Sequence, residues 1–169
     1  MSTAQKWFAV VGISIMVTVF LLDKRSKEQD IEILAHGKKY VGLVDVHGKR
    51  VTCTIKWDDG SYRTVTASKP HGSIYDGERY YVYSWNKFPG RLVVDFTEPI
   101  IDSTFRKING RVIKQRNRLV KFTYTVASVE YTRHQLIEEE VVAGRLYPVY
   151  VKKDFPKIAY VLPGKNRFP

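Results

Sequence analysis

The residues able to do chemistry in this chain are few and stand apart. Histidine occurs at His36, His47, His71 and His134, each isolated, and no HExxH or comparable spacing sets two of them together as metal ligands. Cys53 is the single cysteine, which removes an internal disulfide and a paired-thiol metal site; on an inward strand position it reads as a small core residue. No G-x-S-x-G, no P-loop and no G-x-G-x-x-G is present. Catalytic residues, metal ligands and cofactors are therefore not expected, and an enzyme here would need scattered side chains that meet only in space.

Charge is the stronger signal. Lys plus Arg number 28 against 17 Asp plus Glu, a formal +11, which suits anionic partners such as lipid headgroups, acidic protein faces or nucleic acid. The densest basic stretch is residues 105–121, FRKINGRVIKQRNRLVK, which carries Arg106, Lys107, Arg111, Lys114, Arg116, Arg118 and Lys121 with no acid among them. The first six are the expected contacts to a partner or an anionic ligand, with Lys114, Arg116 and Arg118 at a hairpin tip. No aromatics are interleaved there at regular spacing, which disfavours nucleic acid. A solvated basic surface is the plainer reading. The one acidic cluster, Glu138, Glu139 and Glu140, reads as a solvated turn or as a contact to a cation or basic partner.

The scaffold for these side chains is written twice. Residues 75–96 and 142–163 align without a gap at a shift of 67, matching Gly77 to Gly144, Tyr80 to Tyr147, Val82 to Val149, Tyr83 to Tyr150, Phe88 to Phe155, Pro89 to Pro156 and Val94 to Val161. Average composition would give roughly one or two such identities. Upstream, Val51, Cys53, Ile55 and Trp57 alternate with polar residues, as do Val120, Phe122, Tyr124 and Val126; the period of two predicts strands buried on one face. The second set lies 69 positions on, and Tyr62 falls on Tyr131 at that shift.

Each copy reads as five short strands, over residues 40–46, 49–57, 61–68, 78–84 and 91–97, then 107–114, 118–126, 130–135, 145–151 and 157–162. The expected fold is mainly β, with two tandem small barrels of SH3-like or alternatively OB-like type at residues 38–98 and 99–169. A core built from about 60 residues is marginal alone, so each copy should pack on its neighbour or on a partner. The tyrosines Tyr75, Tyr80, Tyr81, Tyr83, Tyr147 and Tyr150 fit half-buried sheet faces better than a peptide-binding groove.

Before the strands, residues 7–22 form an uncharged apolar run, WFAVVGISIMVTVFLL, between Lys6 and Asp23. It is expected to span a membrane once, through Trp7, Phe8, Ile13, Met16, Phe20 and Leu22; no small-x-small cleavage site follows it at once. Lys24, Arg25 and Lys27 are the expected headgroup contacts, and the helix continues as a stalk to Gly37, taken as a left-handed terminator. Counting Lys and Arg on each side places the body in the cytoplasm, although a very short N-terminal tail is also that of a signal anchor with an exported body.

The spacing G-x-x-Y-x-V-Y-x-x-x-x-F-P, at Gly77 to Pro89 and again at Gly144 to Pro156, resembles that of a small membrane-attached bacterial β domain family of unknown function. The resemblance implies a β fold and membrane attachment and transfers no catalytic residue. These readings converge on a single-pass, non-enzymatic accessory subunit of a membrane complex, in which the helix meets membrane lipid and integral membrane protein partners while the barrels cover a partner's extramembrane face. A membrane-surface module that binds an anionic ligand is the alternative.

Overall fold

The computed structural model describes the backbone of residues 3–164 and the side chains of residues 19–164. One helix, α1 (Thr3–His36), precedes ten strands: β1 (Lys38–His47), β2 (Arg50–Lys56), β3 (Tyr62–Ser68), β4 (Arg79–Ser84), β5 (Leu92–Pro99), β6 (Phe105–Arg116), β7 (Leu119–Val126), β8 (Val129–Leu136), β9 (Leu146–Lys152) and β10 (Ala159–Val161). The strands make two five-stranded sheets, ordered β3-β2-β1-β4-β5 and β10-β9-β6-β7-β8. Read from the other edge, the second order is β8-β7-β6-β9-β10, so each strand of one sheet has a counterpart five elements away.

The correspondence extends to single bonds. Gly77 and Gly144 take φ of 78° and 82°, a left-handed turn that only glycine enters at little cost. Gly77 N donates to Val44 O at 2.9 Å, and Gly144 N donates to Val112 O at 2.8 Å. Val44 N returns a bond to Glu78 O at 2.9 Å, and Val112 N returns one to Arg145 O at 3.0 Å. A Cβ on Gly42 would lie 2.5 Å from Val82 Cγ2, and one on Gly110 would lie 2.5 Å from Val149 Cγ2, so a valine of the adjacent strand fills the same glycine notch in both sheets.

The registers differ at one hairpin. Ile55 pairs with Arg63, whereas Tyr124 pairs with Tyr131, so the counterpart of Tyr131 is Arg63 and not Tyr62. The cause is loop length: Lys56 pairs with Tyr62 across a five-residue loop, and Val126 pairs with Val129 across two residues, Ala127 and Ser128, both at positive φ. A one-residue slip turns a side chain to the other face. Tyr62 is accordingly 72 % exposed, while Tyr131 packs against the core of the second sheet.

That core joins Val112, Val120, Phe122, Tyr124, Val126, Val149, Val151, Ala159 and Val161 with Ile137 and Val141. In the first sheet Val44, Val51, Cys53, Ile55, Tyr80, Val82 and Tyr83 are buried. The chain divides into two compact units, one of α1 with Ser84–Val93 and one of Lys39–Tyr83 with Val94–Pro169.

In the first unit the segment Ser84–Val93 grips the C-terminal half of α1. Arg91 spreads over one helical turn, from Nε to Asp30 Oδ1 at 2.8 Å, from Nη1 to Gln29 Oε1 at 3.1 Å and from Nη2 to Ser26 O and Oγ at 3.1 and 2.6 Å. Lys87 pairs with Glu32 at 2.6 Å, and Trp85 lies against His36. Ile33 is fully buried. Gly37 is not the left-handed terminator expected, since its φ is outside the positive range; its role is close approach, with Ser84 O 3.0 Å from where a Cβ would sit.

Among the described residues no helix is long and apolar enough to cross a membrane. Of the expected span, the side chains of Trp7, Phe8, Ile13 and Met16 lie outside the described residues, and Phe20 and Leu22 are 68 % and 61 % exposed. Lys27 pairs with Asp23 at 2.6 Å and Lys24 approaches Glu28 at 3.9 Å, so two of the three proposed headgroup contacts are balanced one helical turn away.

Candidate interaction surfaces

The two sheets finish their edges in different ways. In the second, the buried Gln135 of β8 reaches β10: its Oε1 accepts from Val161 N at 2.9 Å and its Nε2 donates to Val161 O at 3.3 Å. One primary amide thus copies a backbone pair and brings the two outer strands together. The free side of β8 is also covered, because Ser73 N donates to His134 O at 2.8 Å and His134 N donates to Ser73 Oγ at 3.3 Å. In the first sheet the positions equivalent to Arg133 and Gln135 are Val65 and Ala67, which pair with Cys53 and Val51 as those two pair with Phe122 and Val120. Neither can form such a bridge.

Strand β3 is therefore an open edge. Its first three residues are exposed, the rest alternate between half-buried and exposed, and no backbone bond among the described residues reaches its outer side. At its start Tyr40 stacks on Trp57 with centroids 4.5 Å apart and planes 10° from parallel. The Arg63 guanidinium lies 4.3 Å from the centroid of Trp57. Tyr62, paired with Lys56, belongs to the opposite face. Tyr, Trp and Arg on a half-buried platform are the residue types that dominate protein–protein hot spots.

The sheets meet through a buried charge pair. Arg133 Nη2 donates to Glu78 Oε1 at 2.7 Å with both side chains essentially inaccessible. Glu78 also accepts from Tyr80 Oη at 2.5 Å and from Tyr75 N at 3.2 Å, and Arg133 Nη1 donates to Lys157 O at 2.8 Å. The guanidinium sits 5.3 Å from the centroid of Tyr75 and 4.8 Å from that of Tyr160. Burial pushes the Arg133 pKa down, and Glu78 with Tyr160 and Tyr80 more than reverse it, so the net direction is up. Burial raises the Tyr80 and Tyr160 hydroxyls well above their ordinary range. Among the described residues Arg133 Nε has no hydrogen-bond partner. The adjoining cavity, lined by Tyr80, Phe96, Arg133 and Gln135, holds about 10 Å³, far below the size of an organic ligand.

The basic stretch is divided by its strand. Lys107, Arg111, Lys114 and Arg116 fall on the outer face of the second sheet, opposite Tyr150, Thr123, Lys121 and Leu119. Arg106 pairs with Val151 and belongs to the other face. Arg118 is ion-paired to Glu138, so the basic hairpin tip and the acidic triplet, far apart in sequence, share one place. They line an open cleft of about 490 Å³ with Gln115, Asn117, Glu140 and Val141. Tyr80, Tyr83 and Tyr150 are buried and offer no ligand groove. Among the described residues no group of three His, Cys, Asp or Glu is placed to hold a metal ion. No known protein family, curated protein or solved structure matches this chain.

Proposed function

We propose that the chain is a non-enzymatic accessory subunit held in a membrane by the apolar run at residues 7–22, with two SH3-like units of common origin covering the extramembrane face of a protein partner. The distribution of Lys and Arg around that run supports a cytoplasmic body. The observation that carries the interaction reading is the open β3 edge with the Tyr40, Trp57 and Arg63 stack at its start. An unpaired strand of β-prone residues is a template for another chain, and soluble monomers normally blunt such an edge. Here the second sheet is blunted and the first is not. A partner strand laid along β3 would take up its free N–H and C=O groups, while the aromatic stack supplies an anchor.

Mild-detergent extraction followed by sizing tests this reading. The expected result is a stoichiometric integral membrane protein that accompanies the wild-type chain and is lost when Thr64→Lys and Thr66→Lys charge the edge. A monodisperse single chain with no accompanying protein would overturn it.

A further inference from the structure

We infer that the outer face of the second sheet docks on an anionic phospholipid surface. The pairing of β6, β7 and β8 places Lys114 directly opposite Lys121, and Lys121 directly opposite His134, which makes a row three strands wide. Arg111 lies on the same face, opposite Thr123. Like charges facing each other across a ladder destabilise the sheet that carries them, and among the described residues neither Lys114 nor Lys121 has an ion-pair partner. An arrangement that opposes folding and goes unneutralised among the described residues calls for an external anion. Glu130 stands opposite Thr125 at the far end of this face, and Glu138 of the acidic triplet is held by Arg118.

The face also carries exposed aliphatic side chains. The register shifts between Val112 and Lys114, so Ile113 is extruded as the extra residue of a bulge and is 42 % exposed. Leu146, paired with Arg111 across β6 and β9, is 60 % exposed. Aliphatic prongs set among Lys and Arg suit the interface of a bilayer, where the prongs enter the acyl boundary and the cations meet phosphates. An acidic protein would satisfy the charges and leave Ile113 and Leu146 without a purpose. This docking surface is separate from the β3 edge and does not depend on the identity of a protein partner.

The full chain carrying Ile113→Cys is labelled with an environment-sensitive fluorophore; Cys53 is fully buried and does not take up the label. It is then mixed with neutral phosphatidylcholine vesicles, with vesicles that also contain phosphatidylglycerol, with inorganic phosphate and with polyglutamate. The expected result is a blue shift on the phosphatidylglycerol vesicles only, reversed by high salt. Each basic side chain brought to an anionic surface strengthens attachment roughly fivefold. Lys114→Glu with Lys121→Glu should therefore weaken the response at least about twentyfold. An equal shift on neutral vesicles, no shift on phosphatidylglycerol, a shift with polyglutamate alone, or a double reversal that changes nothing would overturn the inference. Flotation of the chain with neutral vesicles reports the helix separately, so failure of the anchor and failure of this face give different outcomes.

Discussion

Arg133 of β8 and Glu78, just ahead of β4, form an ion pair of 2.7 Å in a place where neither side chain meets water. The pair ties one sheet to the other, because Glu78 also accepts from Tyr80 of the first sheet and Arg133 is a residue of the second, donating also to Lys157 in the turn between β9 and β10. A buried pair of this kind recovers little net free energy, since two charges must first be desolvated. Removing one partner is another matter. Arg133→Met leaves Glu78 buried without its cation and should cost about 3 to 5 kcal/mol in denaturant unfolding. Adding Glu78→Gln should restore most of that loss. A double variant as unstable as the sum of the two single ones would show that the residues do not act as a pair.

Alkaline pH should unfold the protein by a traceable route. Burial pushes the Cys53 thiol from 9.0 up to about 11 and the Tyr124 hydroxyl from 10.0 up to about 12, and it holds Tyr80 and Tyr160 well above their ordinary range. All are raised in the fold, so the unfolded chain ionises first and gains from rising pH. Their contribution is whole below pH 9, and the share of Cys53 is gone by about 11 and that of Tyr124 by about 12. Phenolate absorbance should therefore rise in two stages, the later one coinciding with loss of the β-sheet circular dichroism. A single smooth tyrosine titration with the sheet signal intact would contradict it.

Both glycine notches should respond in the same direction, Gly110 more strongly because a Cβ there would also lie 2.8 Å from Thr123 O. A Cβ at Gly42 or at Gly110 would press on Val82 or Val149, so Gly42→Ala and Gly110→Ala should each cost about 1 to 3 kcal/mol by overpacking. Shortening the facing valine in the same chain, as Gly110→Ala with Val149→Ala, should recover part of the loss. Thermal unfolding of the single and double variants measures both. If Gly42→Ala were neutral and Gly110→Ala severe, the two sheets would not be packed in the same manner.

Much of the fold was legible from period and spacing. The inward sets at Val51, Cys53 and Ile55 and at Val120, Phe122 and Tyr124 are buried, and the repeated Gly77 and Gly144 turns make the same bonds. The joint between the sheets was not legible, because a charged residue on an inward strand position looks like a residue of the outer face until its partner is known. Arg133 and Gln135 stand at those positions of β8, and the residues that satisfy them are far away in sequence. The register of β8 was misread by one residue because its loop is shorter by an odd number, which no alternation pattern can report. Sequence spacing also could not show that Arg118 finds Glu138, or that Lys114 faces Lys121.

The interaction account turns on whether β3 is occupied where the protein works. Amide hydrogen exchange across β3 (Tyr62–Ser68) and β8 (Val129–Leu136) should be compared for the isolated chain in detergent and for the chain in its native membranes. The account predicts that the outward amides of β3 exchange fast in isolation and become protected in the membranes, while β8, already closed by Gln135 and Ser73, stays unchanged. Equal, fast exchange of β3 in both settings would contradict it.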